Sequence, residues 1–132
     1  NEINPKEIYN FADQDHVGWS YEIPSYSFRT TALSVIEILE IIRKKNKKIK
    51  FFQPISSNIF GETDIKRQNE KTSPEPNSIY ALAKTTAFYA SKMYSKVYNM
   101  LMKLPLLQPC SSLCYVQKLC LKTILVKEEV VA

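Results

Sequence analysis

Apolar residues along this chain gather in short runs, and over longer stretches they recur every three or four positions. Ile8, Tyr9 and Phe11 make the first run, within residues 7–12, and lead into a polar loop. A short apolar run bounded by polar residues reads as a buried strand. Pro24 suits the first turn of a helix, where its missing N–H has no intrahelical acceptor to lose. From there Phe28, Ala32, Val35, Leu39 and Ile42 step by four, three, four and three. That spacing predicts one apolar face of a helix ending near Lys45. Residues 49–53 form a second apolar strand, closed by Pro54. Residues 56–77 are polar, hold Pro74 and Pro76, and read as a loop. Ile79, Ala83, Ala87, Ala90, Tyr94 and Val97 then mark a second helix. Strand, helix, strand and helix joined by short connections predict an α/β fold on a parallel sheet, with a right-handed crossover.

The pattern changes after Met100. Residues 101–120 keep no clean period of two or of 3.6, and they contain all three cysteines. Two units are therefore expected, residues 1–100 and a divergent tail, 101–132.

Composition narrows the function classes. Among 132 residues there are two glycines, Gly18 and Gly61, too few for a three-glycine phosphate loop within this sequence. A hydrophobic fraction of 45% excludes a disordered tail. The net charge of +5 is moderate, and much of it lies in Arg43-Lys-Lys-Asn-Lys-Lys-Ile-Lys50, with six basic residues in eight. Cations suit a helix C-terminus, so this run reads as a solvated helix end and not as a nucleic-acid patch. Residues 104–117 are uncharged, but 14 residues with two prolines are too short to span a bilayer. Cys110, Cys114 and Cys120 have no histidine near them, since His16 stands alone, and no zinc site is expected. No signal peptide is visible at Asn1, and a reduced, cytoplasmic setting is the expectation. His16 itself is read as a loop hydrogen-bonder.

One constellation carries chemistry. Tyr80-Ala-Leu-Ala-Lys84 lies at the start of the second helix, and a spacing of four puts both side chains on one face. An ammonium beside a phenol favours the phenolate, which could then act as a base. Ser56, 24 residues earlier, follows a strand directly, at the sheet edge where parallel sheets place their sites. A hydroxyl there could hold a substrate hydroxyl while Tyr80 takes its proton.

These residues have a familiar setting. Ile8-Tyr-Asn-Phe-Ala-Asp-Gln-Asp-His-Val17, Ser20-Tyr-Glu-Ile-Pro-Ser-Tyr26, Ala32-Leu33, Phe51-Phe-Gln53, Ile59-Phe-Gly61 and Ser78-Ile-Tyr-Ala-Leu-Ala-Lys84 resemble the GDP-mannose 4,6-dehydratase family. That family belongs to the extended short-chain dehydrogenase/reductases. The likeness covers about residues 3–100, and it implies a partial doubly wound, Rossmann-type sheet. It also implies lyase chemistry on GDP-mannose with NADP, in the synthesis of GDP-deoxysugars. Tyr80 would deprotonate the sugar 4-hydroxyl while hydride passes to the cofactor. Lys84 would hold the nicotinamide ribose and depress the Tyr80 pKa, and Ser56 stands for the family threonine. Phe11, Ala12, Asp13, Gln14, Asp15 and Tyr26 match positions that touch NADP. Intact relatives are expected to be homodimers or tetramers, paired through the two helices.

Two departures stand out. The family glutamate that removes the C5 proton falls on Asn58, and an amide cannot accept that proton. Asp13 and Asp15 replace small neutral residues beside a phosphorylated cofactor, which should weaken its binding. By the resemblance, Asn1 falls just before the fourth strand of the family, beyond its glycine-rich turn. Two strands and two helices of a larger sheet are expected to be marginal or aggregation-prone alone. Leu106-Leu-Gln-Pro-Cys110 can be encoded so that a reading one base later gives Phe-Phe-Asn-His, a family segment, so a one-base frameshift near residue 101 is expected. A remnant of another nucleotide-sugar epimerase or reductase, or a non-catalytic interaction domain, are the alternatives.

Overall fold

The computed structural model describes residues 4–62, 68, 71–107 and 124–127. Strand β1 (Glu7–Asn10) leads through a loop to two short helices, α1 (Val17–Glu22) and α2 (Pro24–Phe28). A π-helical turn, Arg29–Leu33, carries α2 into α3 (Ser34–Lys45). Strands β2 (Lys50–Phe52) and β3 (Ile55–Ser56) follow, then a 3₁₀ turn, Ser57–Phe60. Helix α4 (Ile79–Tyr98) precedes β4 (Met102–Lys103), β5 (Leu106–Leu107) and β6 (Ile124–Lys127).

The expected strand–helix alternation is present, and β1 and β2 pair in parallel with Ile8 opposite Phe51. The sheet extends further than the periodicity indicated. β4 adds in parallel to β2, and β5 to β3. The N–H groups of Phe51, Gln53 and Ile55 donate in turn to the carbonyls of Leu101, Lys103 and Pro105, at 2.9, 3.0 and 2.9 Å. β2 and β3 are thus one extended run that Pro54 interrupts. Proline has no N–H, and alternation turns position 54 toward the β1 side, so the ladder between the two strands stops at the last residue of β1. β6 closes the four-stranded sheet, order β4-β2-β1-β6, by pairing antiparallel with β1. Residues 108–123, with the three cysteines, lie outside the described residues, as do 63–67, 69–70 and 128–132.

Alternation puts Ile8 and Asn10 on the same face as Phe51 and Gln53. Over that face lie α3 and α4, and Val35, Leu39, Ile42, Ile49, Phe51, Ala87, Tyr94 and Met100 form the main core. A smaller cluster, Ile55, Ile59 and Phe60, sits under the 3₁₀ turn. The opposite face carries Tyr9 and Phe52, rings 5.2 Å apart, and a Glu7–Lys50 ion pair at 3.0 Å. The second helical layer of a doubly wound sheet is not among the described residues. No helix among them is long and apolar enough to cross a membrane.

The helix faces need two corrections. In α2–α3 the expected stripe is buried from Ala32 to Ile42, but it crosses a π turn, which shifts the residues after it around the axis. In α4 the buried face is rotated from the apolar stripe. It runs through Tyr80, Lys84, Ala87, Ser91 and Tyr94, whereas Val97 is 62% exposed. Ala87 and Tyr94 pack on that face against Val35, Leu39 and Ile42 of α3, with Ser91 buried beside them. The basic run ends α3, where Arg43 makes two 2.8 Å hydrogen bonds to Glu40. Cations there oppose the negative end of the helix dipole.

Candidate functional site

The expected site assembles at the carboxyl ends of β1 and β2–β3, against the first turns of α4. Ser78 caps α4, its hydroxyl accepting from the Ala81 N–H at 3.1 Å. The cap fixes where the helix starts, and so places Tyr80 in its first turn and Lys84 one turn further. Both are buried, at 8% and 4% exposure. The Lys84 ammonium lies 5.8 Å from the centre of the Tyr80 ring.

Ser56 meets Tyr80 from the end of β3. Its hydroxyl oxygen accepts the Asn58 N–H at 3.2 Å and so caps the 3₁₀ turn. That leaves the hydroxyl proton free to face the phenol, and Ser56 lies near enough to Tyr80 to pull its pKa down. Asn58 is held by its backbone, since its carbonyl also accepts the Gly61 N–H at 3.1 Å. It stands two residues from Ser56, within the same turn.

The loop after β1 closes the site. At its base, Asn10 Nδ2 donates to Gln53 Oε1 at 2.7 Å, joining the ends of two strands inside the protein. Asn10 Oδ1 accepts the Ala12 N–H at 3.1 Å. The Gln14 N–H donates to Thr31 Oγ1 at 3.2 Å, and Gln14 Nε2 to the His16 carbonyl at 2.9 Å. The π turn thus presents Thr31 to the loop, a use of irregular helix that often accompanies sites. Phe11 packs its ring on Phe52, centres 5.8 Å apart. His16 caps α1 by accepting the Trp19 N–H at 3.2 Å, the loop hydrogen-bonding role expected of it.

This geometry delivers Asp13 to Lys84. The two form a direct ion pair, with side chains 9% and 5% exposed. Asp15 is close enough to act on Tyr80 through its charge. Tyr26, on α2, is 55% exposed and has no polar contact with Tyr80 or Lys84 among the described residues.

The sequence leads one to expect a phenol made acidic by its ammonium neighbour. The structure reverses that expectation. The Tyr80 phenol is held above its ordinary value of 10.0, chiefly by burial; Asp13 and Asp15 push it further up, and Lys84 and Ser56 pull it down. Desolvation penalises the phenolate, and the nearby cation is matched by an anion. As folded, Tyr80 is a neutral hydrogen-bonding group.

Sequence reasoning brought together Ser56, Asn58, Tyr80 and Lys84, and the loop residues beside them. It missed Asn10, Gln53 and Thr31, which hold the loop in place. Their signal was a polar residue at the end of an apolar run or on an apolar face, which a buried hydrogen-bond partner explains.

Comparison with known proteins gives this arrangement a context. The profile of the family described as "GDP-mannose 4,6 dehydratase" matches residues 1–115. The chain is 36% identical over 102 residues to GDP-mannose 4,6 dehydratase of Drosophila melanogaster, covering 76% of this chain and 26% of that protein. Among solved structures, dTDP-glucose 4,6-dehydratase DesIV of Streptomyces venezuelae, with NAD and TYD bound, superposes with a TM-score of 0.73 at 21% identity. That match covers 76% of this chain and 31% of the other. RMD of Pseudomonas aeruginosa, complexed with NADPH, gives 0.71 at 17% identity, covering 76% and 34%. Likeness at these identities shows the fold, an α/β sheet of the nucleotide-sugar epimerase and dehydratase type. The chain spans about a quarter of the length of the curated relatives it matches.

Proposed function

The chain belongs to the GDP-mannose 4,6-dehydratase family, and on that premise we propose that it carries the family's tyrosine and lysine, with Ser56 in the place of the family threonine, in a resting form that does not dehydrate GDP-mannose by itself. The observation that supports this most directly is the buried Tyr80–Lys84 pair, ammonium 5.8 Å from the ring centre, with Ser56 beside the phenol. Three groups from two elements, the end of β3 and the first turns of α4, converge where a sugar hydroxyl could be held between a hydroxyl and a phenol. A nucleotide sugar of the GDP-mannose class is the ligand this reading assigns.

The same geometry argues against turnover. Asn58 occupies the position of the proton-abstracting glutamate in the resemblance, and its amide has no basic lone pair to offer. The residues present also do not fit a pyridine dinucleotide as they stand. Asp13 already holds the ammonium that would grip a ribose, and Asp13 and Asp15 together make the field at Tyr80 more negative. An anionic dinucleotide would meet that field at close range.

The test is a titration of GDP-mannose into the chain, followed by amide NMR, alongside an assay for 4-keto sugar. Shifts at Ser56 and Tyr80 without product are expected, and a longer protein containing this segment should gain dehydration on Asn58→Glu. Dehydration by the Asn58 protein at the rate of its relatives would defeat the proposal.

One observation favours a second role. Leu82, Tyr89, Met93 and Val97, at 43, 51, 45 and 62% exposure, recur along one side of α4, and Ile41 of α3 is 57% exposed. Apolar residues repeated along a helix suit a partner helix. A second copy of the chain is the assigned partner, and light scattering that finds only monomer would refute it.

A further inference from the structure

We infer that Asp13 is a positioning residue of the site: through its ion pair it commits Lys84 to a carboxylate of this chain and offsets the ammonium's pull on Tyr80. This rests on the reading that Tyr80 and Lys84 form the site.

Four observations support it. The pair is direct, and it joins positions 71 residues apart, on the β1 loop and on α4. Its side chains are 5% and 9% exposed, so water screens it little. The carboxylate is brought there by a pinned backbone, since Ala12 and Gln14 on either side of Asp13 are hydrogen-bonded to Asn10 and Thr31. Lys84 stands near the Tyr80 ring, so the destination of its charge decides what the phenol experiences. A surface pair would be interchangeable with solvent. This one is not, because both of its side chains lie inside the protein.

Asp13→Asn keeps the size of the side chain and removes its charge. The chain is labelled at the ζ carbon of its eight tyrosines, and Tyr80→Phe identifies the Tyr80 signal. Asp13→Asn should lower the pH at which Tyr80 ionises by roughly one unit. An unmoved or raised midpoint overturns the inference. Should Asp13→Asn unfold before Tyr80 titrates, urea unfolding of Asp13→Asn, Lys84→Met and the double variant decides. Each single substitution removes one partner of the buried pair and should shift the unfolding equilibrium by roughly a hundredfold or more. The double variant removes both partners, and its shift should be far below the product of the two. Additive effects overturn the inference. Both readouts are ligand-free, so failure of GDP-mannose to bind would defeat the functional proposal and leave this one standing.

Discussion

The two glycines should respond to the same substitution in opposite ways. Gly61 has φ +58°, ψ −143°, a region that side chains avoid. A Cβ there would stand 2.2 Å from the Glu75 carbonyl oxygen, 3.4 Å from its carbon and 3.6 Å from Asn77 Cγ. The obstacle is backbone and cannot rotate away. Moving it would stretch the Glu75 N–H bond to the Ile59 carbonyl, 2.8 Å long, which ties the segment before α4 to the 3₁₀ turn. Conformational strain costs about 1–3 kcal/mol, and the lost hydrogen bond about 1 kcal/mol more. Gly61→Ala should therefore destabilise the fold by about 2–4 kcal/mol, a large share of the ~5–15 kcal/mol that typical domains possess. Gly18 lies in α1 with no positive φ, and its Cβ would meet only the His16 ring, at 3.0 Å. The ring can yield, and the gain in helix propensity of up to ~1 kcal/mol offsets the disturbed cap. Gly18→Ala should change stability by less than ~0.5 kcal/mol.

Urea unfolding followed by circular dichroism measures both variants, with amide spectra of the folded states beside it. Gly61→Ala should lower the midpoint and move the resonances of Ile59, Glu75 and the start of α4. Gly18→Ala should leave those resonances in place. Equal midpoints for the two variants would refute the claim that the Gly61 backbone, and not the mere absence of a side chain, is required.

Other outcomes follow from the core and the charges. Phe51 is fully buried, so Phe51→Ala should cost about 3–5 kcal/mol in the same unfolding assay, while the exposed Ile41 tolerates alanine within ~0.5 kcal/mol. Glu40, hydrogen-bonded by Arg43 and Tyr94, is pulled down from 4.5 to about 2. Its contribution is complete above pH 4.5 and is lost as pH falls toward 2, so Glu40→Gln should flatten acid unfolding in that window. Tyr94 is pushed up to about 12 from 10.0, by burial first and by its bond to Glu40 second; its contribution holds below pH 10 and fades as pH rises through 12, a decline that Tyr94→Phe should remove. The coding sequence should read Phe-Phe-Asn-His one base later from Leu106, and codons that forbid this would end the frameshift proposal.

Much of the fold was legible because it rests on local chemistry. Pro24 and Pro54 set the boundaries of a helix and a strand run from their own backbone needs. Tyr80 and Lys84 share a helix face by spacing alone, and Ser56 follows its strand directly. Periodicity failed where burial did not follow polarity: Ser91 and Thr85 face inward on α4, and Val97 does not. It also failed beyond Met100, where runs of two residues pair with β2 and β3 and carry too few positions to show a period.

The sequence by itself determined the strand–helix–strand–helix order of its first hundred residues and the residue types at the site. Only the tertiary structure decided how those residues behave. The carboxylate of Asp13 reaches Lys84 across 71 residues because a buried Asn10–Gln53 bond and Thr31 hold its loop there. Burial then outweighs the ammonium at Tyr80 and holds the phenol above its ordinary value. Spacing along a chain states which side chains can be neighbours, whereas the field they experience depends on the water excluded and the charges brought in from afar.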